Sequence, residues 1–277
     1  MMNFIDAKAA PLKNTGQIKI HDAAGFEGMR IVGQKAAETL DLLTPFVQPG
    51  ITTEALDARA IEIITDLEAV PAPLHYRGFR GAICTSPNHI VCHGIPGARV
   101  LREGDILNID VTLCYEGWHG DHSRMYALGA VSPKALRLMD ATYEAMMHGI
   151  EAVRPGAKLG DIGAAIQAHA EGGKLSVVRD FCGHGLGRVF HDAPNILHFA
   201  GAPETEELRT GMFFTIEPML NLGKPAVKIL NDGWTAVTRD RTLSAQYEHS
   251  IGITETGYEI FTRSPAGLDT PHRAANP

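Results

Sequence analysis

The chain has 277 residues, 44% of them hydrophobic and 21% charged, with a formal net charge of −7. That length buries a sizeable core in one large domain or two small ones, and the acidic balance leaves no global basic field for nucleic acid or anionic lipid. No run approaches the roughly 18 to 20 apolar residues of a membrane span, and Met1 to Pro11 mixes charges where a signal peptide needs an apolar core. The four cysteines, Cys84, Cys92, Cys114 and Cys182, form no C-x-x-C pair. Free thiols in a reducing cytoplasm are expected, not a zinc ribbon or a dithiol redox site.

In chain order, residues 1–24 read as an N-terminal extension. Glu27 to Leu43 and Thr53 to Leu67 carry helical patterns, separated by a break at Pro49-Gly50. Leu101-Arg102-Glu103-Gly104 then leads into an apolar, β-branched run from Ile106 to Leu113, a predicted strand that Asp110 interrupts. Tyr115 to Trp118 offers a turn, and His119 to Leu128 returns as a second strand. With a loop of two or four residues, Asp110 and Asp121 share a face as opposite or diagonal neighbours. An odd loop or a bulge would alter that parity.

Ser132-Pro133 is an N-cap followed by proline at the first helical position, and it opens a predicted helix to Val153. Pro155-Gly156 breaks it, and Leu159 to Ala170 forms the next, so helix, Pro-Gly break and helix occur twice. A strand-like Leu175 to Arg179 precedes Gly183-His184-Gly185-Leu186-Gly187. Those glycines let the backbone approach an ion closely and leave the His184 imidazole unobstructed. No Lys-Ser/Thr follows them, which argues against a phosphate loop.

Leu208-Arg209-Thr210-Gly211 leads to Ile216-Glu217 at the spacing that links Leu101-Arg102-Glu103-Gly104 to Ile109-Asp110. Glu248-His249-Ser250 likewise echoes Asp121-His122-Ser123. Three correspondences in one order predict an α+β fold of two related halves, about 25–130 and 131–263, packed about a pseudo-twofold axis. Antiparallel sheet lies inside and helices outside in the expected layering. Residues 264–277, rich in Pro, Ala and polar types, are expected to form a flexible tail.

Asp110 and Glu217 sit in runs that otherwise read as buried, and no Lys or Arg occupies a matching strand position. Carboxylates buried together repel and desolvate, at roughly several kcal/mol each. Bound divalent cations resolve that conflict. Asp110, Asp121, Glu217 and Glu248 with His184 form an oxygen-rich set suited to paired Co, Mn, Fe(II) or Zn ions about 3.5–4 Å apart. His93 and His191, taken alone, read more often as ordinary surface or core histidines than as ligands. There is no G-x-S-x-G elbow and no H-E-x-x-H helix.

Several stretches together carry a resemblance: Cys92-His93-Gly94-Ile95-Pro96, Asn108-Ile109-Asp110-Val111, His119-Gly120-Asp121, Gly183-His184-Gly185-Leu186-Gly187, Thr215-Ile216-Glu217-Pro218 and Ser244-Ala245-Gln246-Tyr247-Glu248-His249. From about Gly25 to Phe261 the chain resembles type 1 methionine aminopeptidases, metallopeptidases of the pita-bread fold. The resemblance implies removal of an N-terminal methionine ahead of a small second residue, by a water activated between two metals. It implies Asp110, Asp121, His184, Glu217 and Glu248 as metal ligands, with Glu217 also handling the proton of the attacking water. It sets His93 near the scissile nitrogen and His191 near the carbonyl oxygen. Tyr76, Phe79, Cys84, Phe190 and Trp234 match the methionine pocket, and Asn88 and Ser244 match part of a monovalent-cation site. Nascent polypeptide N-termini, with the ribosome as a further partner, and action as a monomer are expected on the same ground.

The chain departs from the family in two places. Arg77-Gly78-Phe79-Arg80 stands where the family usually reads His-Gly-Phe/Tyr-Pro, and His122 follows the second aspartate in place of a threonine. The alternatives are an X-Pro aminopeptidase or prolidase of the same fold, which usually carries a large N-terminal domain, and a catalytically silent pita-bread binding protein, which usually loses metal ligands.

Overall fold

The structure, a computed structural model, describes residues 3–201 and 206–273. Its centre is a long antiparallel hairpin of Ile106–Tyr115 and Trp118–Ala127. The loop is the two-residue Glu116-Gly117, with φ of 49° and 77°. Two positive-φ residues give such a loop the twist of the strands it joins. Its length settles the parity: Thr112 lies opposite Asp121 and Ser123 opposite Asp110, so the two aspartates are diagonal neighbours on one face.

Helix α1 (Ala23–Leu43) starts four residues before the apolar pattern suggests, because Asp22 accepts the Gly25 amide and caps it. It lies so close to the hairpin that a Cβ on Gly120 would stand 2.6 Å from the Val32 carbonyl oxygen. Helix α2 (Thr53–Asp66) is capped by Thr52. These helices bury Met29, Leu40 and Leu56 against Ile109 and Val111, forming the core of the first half.

In the second half, α3 (Pro133–Glu151), capped by Ser132 as predicted, pairs with α4 (Leu159–Gly172). Leu138, Met146 and Ile162 pack there on Phe214, Ile216 and Ile251. The sheet beneath runs Asp192–Ile196, Gly183–Gly185, Phe213–Ile216, His249–Ile253 and Tyr258–Ile260, every neighbour antiparallel. Of the strand expected over Leu175 to Arg179, only Ser176–Val177 forms, since its partner Met219–Asn221 is itself short.

The halves meet through the segments that repeat in sequence. Ser123 bridges Glu248, the Asp121 amide donates to Ser250 Oγ at 3.2 Å, and Ser250 Oγ donates to the Asp121 carbonyl at 2.7 Å. His122 stacks on His249, centroids 4.7 Å apart and planes 10° from parallel.

The first and last described segments are tied to this frame. Phe4–Asp6 pairs with Ile18–Ile20, Lys19 forms a buried ion pair with Asp192, and His21 stacks on Phe213 at 4.2 Å. The segment from residue 264, expected to form a flexible tail, makes contacts with this frame as far as residue 273. Ser264 Oγ donates to Asp41 at 2.7 Å, the Ala266 amide donates to the same carboxylate, and His272–Arg273 pairs with Tyr126 and Ala127. The remainder of that segment lies outside the described residues. No helix among the described residues is long and apolar enough to cross a membrane.

Candidate metal centre

The acids converge because adjoining strands deliver them to one face of the junction. Asp110 and Asp121 come from the hairpin, and Thr112 Oγ1 donates to Asp121 Oδ1 at 2.7 Å. His184 sits on Gly183–Gly185, whose neighbours press closely. A Cβ on Gly185 would stand 2.0 Å from the Ala193 carbonyl oxygen, and one on Gly183 would stand 2.3 Å from that of Thr215. Only glycine admits such an approach.

Glu217 follows Phe213–Ile216, where Pro218 cannot donate to continue the ladder. Thr215 Oγ1 donates to Glu217 Oε1 at 2.8 Å and accepts the His184 amide at 3.0 Å. Gln246 Nε2 donates to Glu217 Oε2 at 3.3 Å, and the Glu217 amide donates to His198 Nε2 at 3.2 Å. Glu248, just before the strand His249–Ile253, itself forms the bridge to Ser123.

His184 Nε2 lies 3.5 Å from Asp121 Oδ2 and 3.7 Å from Glu217 Oε1. Ligand atoms of Asp121, His184 and Glu248 all fall within 4.8 Å of one another. Asp110 Oδ1 is buried with no hydrogen-bond partner among the described residues.

Electrostatics mark the cluster as incomplete. Burial, then the charges of Asp121 and Glu217, pushes the Asp110 carboxyl well above its usual range. Glu248 is raised well above its own range, by burial and then by Asp121, Glu217 and Asp110. Burial and the Asp121 charge lift Glu217 to about 7 against the pull of His184. Burial alone would lower His184, but its bond to Asp121 and the charges of Glu217 and Asp121 raise it. Four carboxylates and an imidazole, with one buried oxygen unsatisfied, fit the donor preference of a divalent cation.

These acids floor a cavity of about 350 Å³. Tyr76, Phe79, Cys84, Phe190 and Trp234 wall it. Phe79 meets Trp234 edge-on at 5.2 Å, and Tyr76 lies 5.0 Å from Phe190. His93 and His191 reach the same cavity. His93 packs edge-on to Phe181 at 5.3 Å, while the His191 ring lies 4.3 Å from that of His184 and 5.2 Å from Tyr76. Burial lowers both imidazoles, and the nearby His184 charge helps take His191 to about 3.

Asn88 and Ser244 adjoin each other outside this cavity, the Ser244 amide donating to the Asn88 carbonyl at 2.9 Å. The Asn88 side chain is spent on Asp105 and the Ile106 amide, while Ser244 Oγ is buried without a partner among the described residues.

Thr112, Thr215, Gln246 and His198, which hold the acids or their backbone, escaped the sequence reading. Thr112 lies two residues from Asp110 on the same strand, so alternation could have placed it beside the acids. His198 carries no such signal. Met219, Asp180 and Phe181 also line the cavity unforeseen.

The profile of "Metallopeptidase family M24" matches residues 27–255. A methionine aminopeptidase of Rickettsia prowazekii is 56% identical over 255 residues, 92% of this chain and 98% of that protein. A crystal structure of methionine aminopeptidase from the same organism superposes with a TM-score of 0.88 at 55% identity, covering 89% of this chain and 100% of the other. The methionine aminopeptidase structure from Thermotoga maritima gives 0.86 at 36% identity, covering 89% and 99%. The two-halved α+β architecture is thus the pita-bread fold anticipated above, built around a divalent-metal site. The chain belongs to metallopeptidase family M24, among its methionine aminopeptidases.

Proposed function

We propose that residues 25–263 form one catalytic unit that removes the N-terminal methionine from nascent proteins and peptides, favouring a small second residue. The observation that carries this is the continuity of the buried acids with an apolar wall in one small cavity. An unbranched thioether side chain suits the wall of Phe79, Phe190, Trp234 and Cys84, and the first peptide bond then lies over the acids.

Two divalent cations (Co, Mn, Fe(II) or Zn) held by Asp110, Asp121, His184, Glu217 and Glu248 would polarise the carbonyl and acidify the attacking water. Glu217, oriented by Thr215 and Gln246, takes the proton of that water and returns it to the leaving amine. His191 stays neutral at pH 7 and donates a hydrogen bond to the carbonyl oxygen as charge develops there. His93, in the same cavity, steers the scissile nitrogen. The free α-amino group settles among the acids, which limits the reaction to the first residue. A monovalent cation at Asn88 and Ser244 belongs to the same reading, supported by the buried Ser244 hydroxyl, which has no partner among the described residues. So do a monomer, a cytoplasmic setting and access to chains leaving the ribosome.

Release of free methionine from Met-Ala-Ser by metal-loaded protein tests this reading, with an X-Pro peptide as comparison. Methionine is expected from the first peptide only, and Glu217→Ala should lower the rate by at least about a hundredfold. Cleavage of X-Pro alone, or a near-normal rate in the variant, would contradict the assignment.

A further inference from the structure

The cavity wall carries two exposed charges that this chemistry does not use, Arg77 and Asp180. Neither has an ion-pair partner among the described residues. Arg77 sits in a turn whose backbone is left-handed at both His75 (φ 67°) and Arg77 (φ 49°), a conformation unfavourable for residues with a Cβ. The turn lays its guanidinium over the Tyr76 ring, 5.2 Å from the centroid. Tyr76 in turn stacks on His191 at 5.2 Å with planes 28° apart. The guanidinium, the phenol ring and the imidazole form a column from the open side of the cavity to its floor.

A peptide with its first side chain against the apolar wall and its scissile bond beside His191 and Glu217 has to leave past this column. A stacked guanidinium is already oriented, so it loses little freedom on meeting a carboxylate and offers paired donors that a lysine lacks. We propose that Arg77 makes the site selective for chains carrying an acidic residue within the first few positions after the scissile bond, through direct pairing with its guanidinium. This rests on the reading of the cavity as the methionine site. Asp180, the other unpaired charge of the wall, opposes the preference by like-charge repulsion without meeting the acid itself.

The test uses the metal-loaded protein and three amidated peptides, Met-Ala-Asp-Asp, Met-Ala-Ser-Ser and Met-Ala-Lys-Lys. It compares kcat/KM for methionine release and, in parallel, Kd from quenching of tryptophan fluorescence, Trp234 being part of the wall. A rim charge pair in water corresponds to about a two- to fivefold preference for the acidic peptide over the basic one. Arg77→Lys should keep the direction, Arg77→Gln should remove the preference, and Asp180→Asn should widen it. Raising salt from about 0.05 to about 0.5 M should shrink it in the wild type. Equal values for the acidic and basic peptides, or a preference that survives Arg77→Gln, would overturn the inference. If no peptide is cleaved, methionine removal falls as the activity, while the order of the Kd values still decides the role of Arg77.

Discussion

At the scale of single residues, burial sets the protonation of the site. Without a cation, folded Glu217 holds its proton up to about 7 against an ordinary 4.5. Asp110 and Glu248 are shifted in the same direction. The unfolded chain then binds fewer protons than the folded one, so stability falls as pH rises across that interval. Buried histidines act oppositely. His191, His198 and His249 are each lowered to about 3 from an ordinary 6.5, so below 6.5 only the unfolded chain takes their protons and acid destabilises the fold. Above about 6.5 the lowered histidines no longer contribute, and the raised His184 imidazole acts in the same direction as the carboxylates. The melting temperature of chelator-stripped protein should therefore drop between about pH 6.5 and 7.5, and Mn(II) loading should remove the drop. A stripped protein that gains stability over that interval would contradict this account. Asp110, Glu217 and His184 were legible because each breaks an apolar or glycine-rich run, and Asp121 and Glu248 because the repeated segments place them in matching positions. The residues that hold them were harder to see: Thr215 and Gln246 are ordinary strand residues, and His198 arrives from a loop distant in sequence.

At the scale of elements, the site depends on strands that approach within glycine distance. Gly185→Ala places a methyl group 2.0 Å from the Ala193 carbonyl oxygen and must displace the strand that carries His184. A cost of about 1–3 kcal/mol or more is expected, a fall in Tm of at least several degrees, together with weaker metal binding. Gly172→Ala, at the end of α4 with nothing within 4 Å, should change Tm little. Thermal melts of the two variants check this, and equal melting temperatures would contradict it. The helices and the hairpin were readable from periodicity and capping residues, and the two-residue loop confirmed that Asp110 and Asp121 share a face. Short strands such as Ser176–Val177 were misjudged, because their length is set by partners from elsewhere in the chain. The contacts of the segment from residue 264 were not legible for a similar reason: their anchor is Asp41 in α1, which composition does not reveal.

At the scale of the molecule, the pseudo-twofold arrangement explains why so many acids share one place. Each half would be an ordinary layer of helices on strands, but the repeated segments meet at the junction and bring Asp121 and Glu248 to it together. The internal repeat made that convergence legible in the sequence. What it did not contain was the asymmetry: the apolar wall, His93 and His191, and the Arg77 column come from segments that do not repeat, so the cavity is one-sided. The halves thus supply a charge-rich floor that folds against its own repulsion and is completed by cations. Calorimetric titration of divalent metal into stripped protein near pH 7, in two buffers of different ionisation enthalpy, tests this directly. Two ions per chain are expected, with net release of protons from Glu217 and its neighbours; no binding, or binding without proton release, would contradict the account.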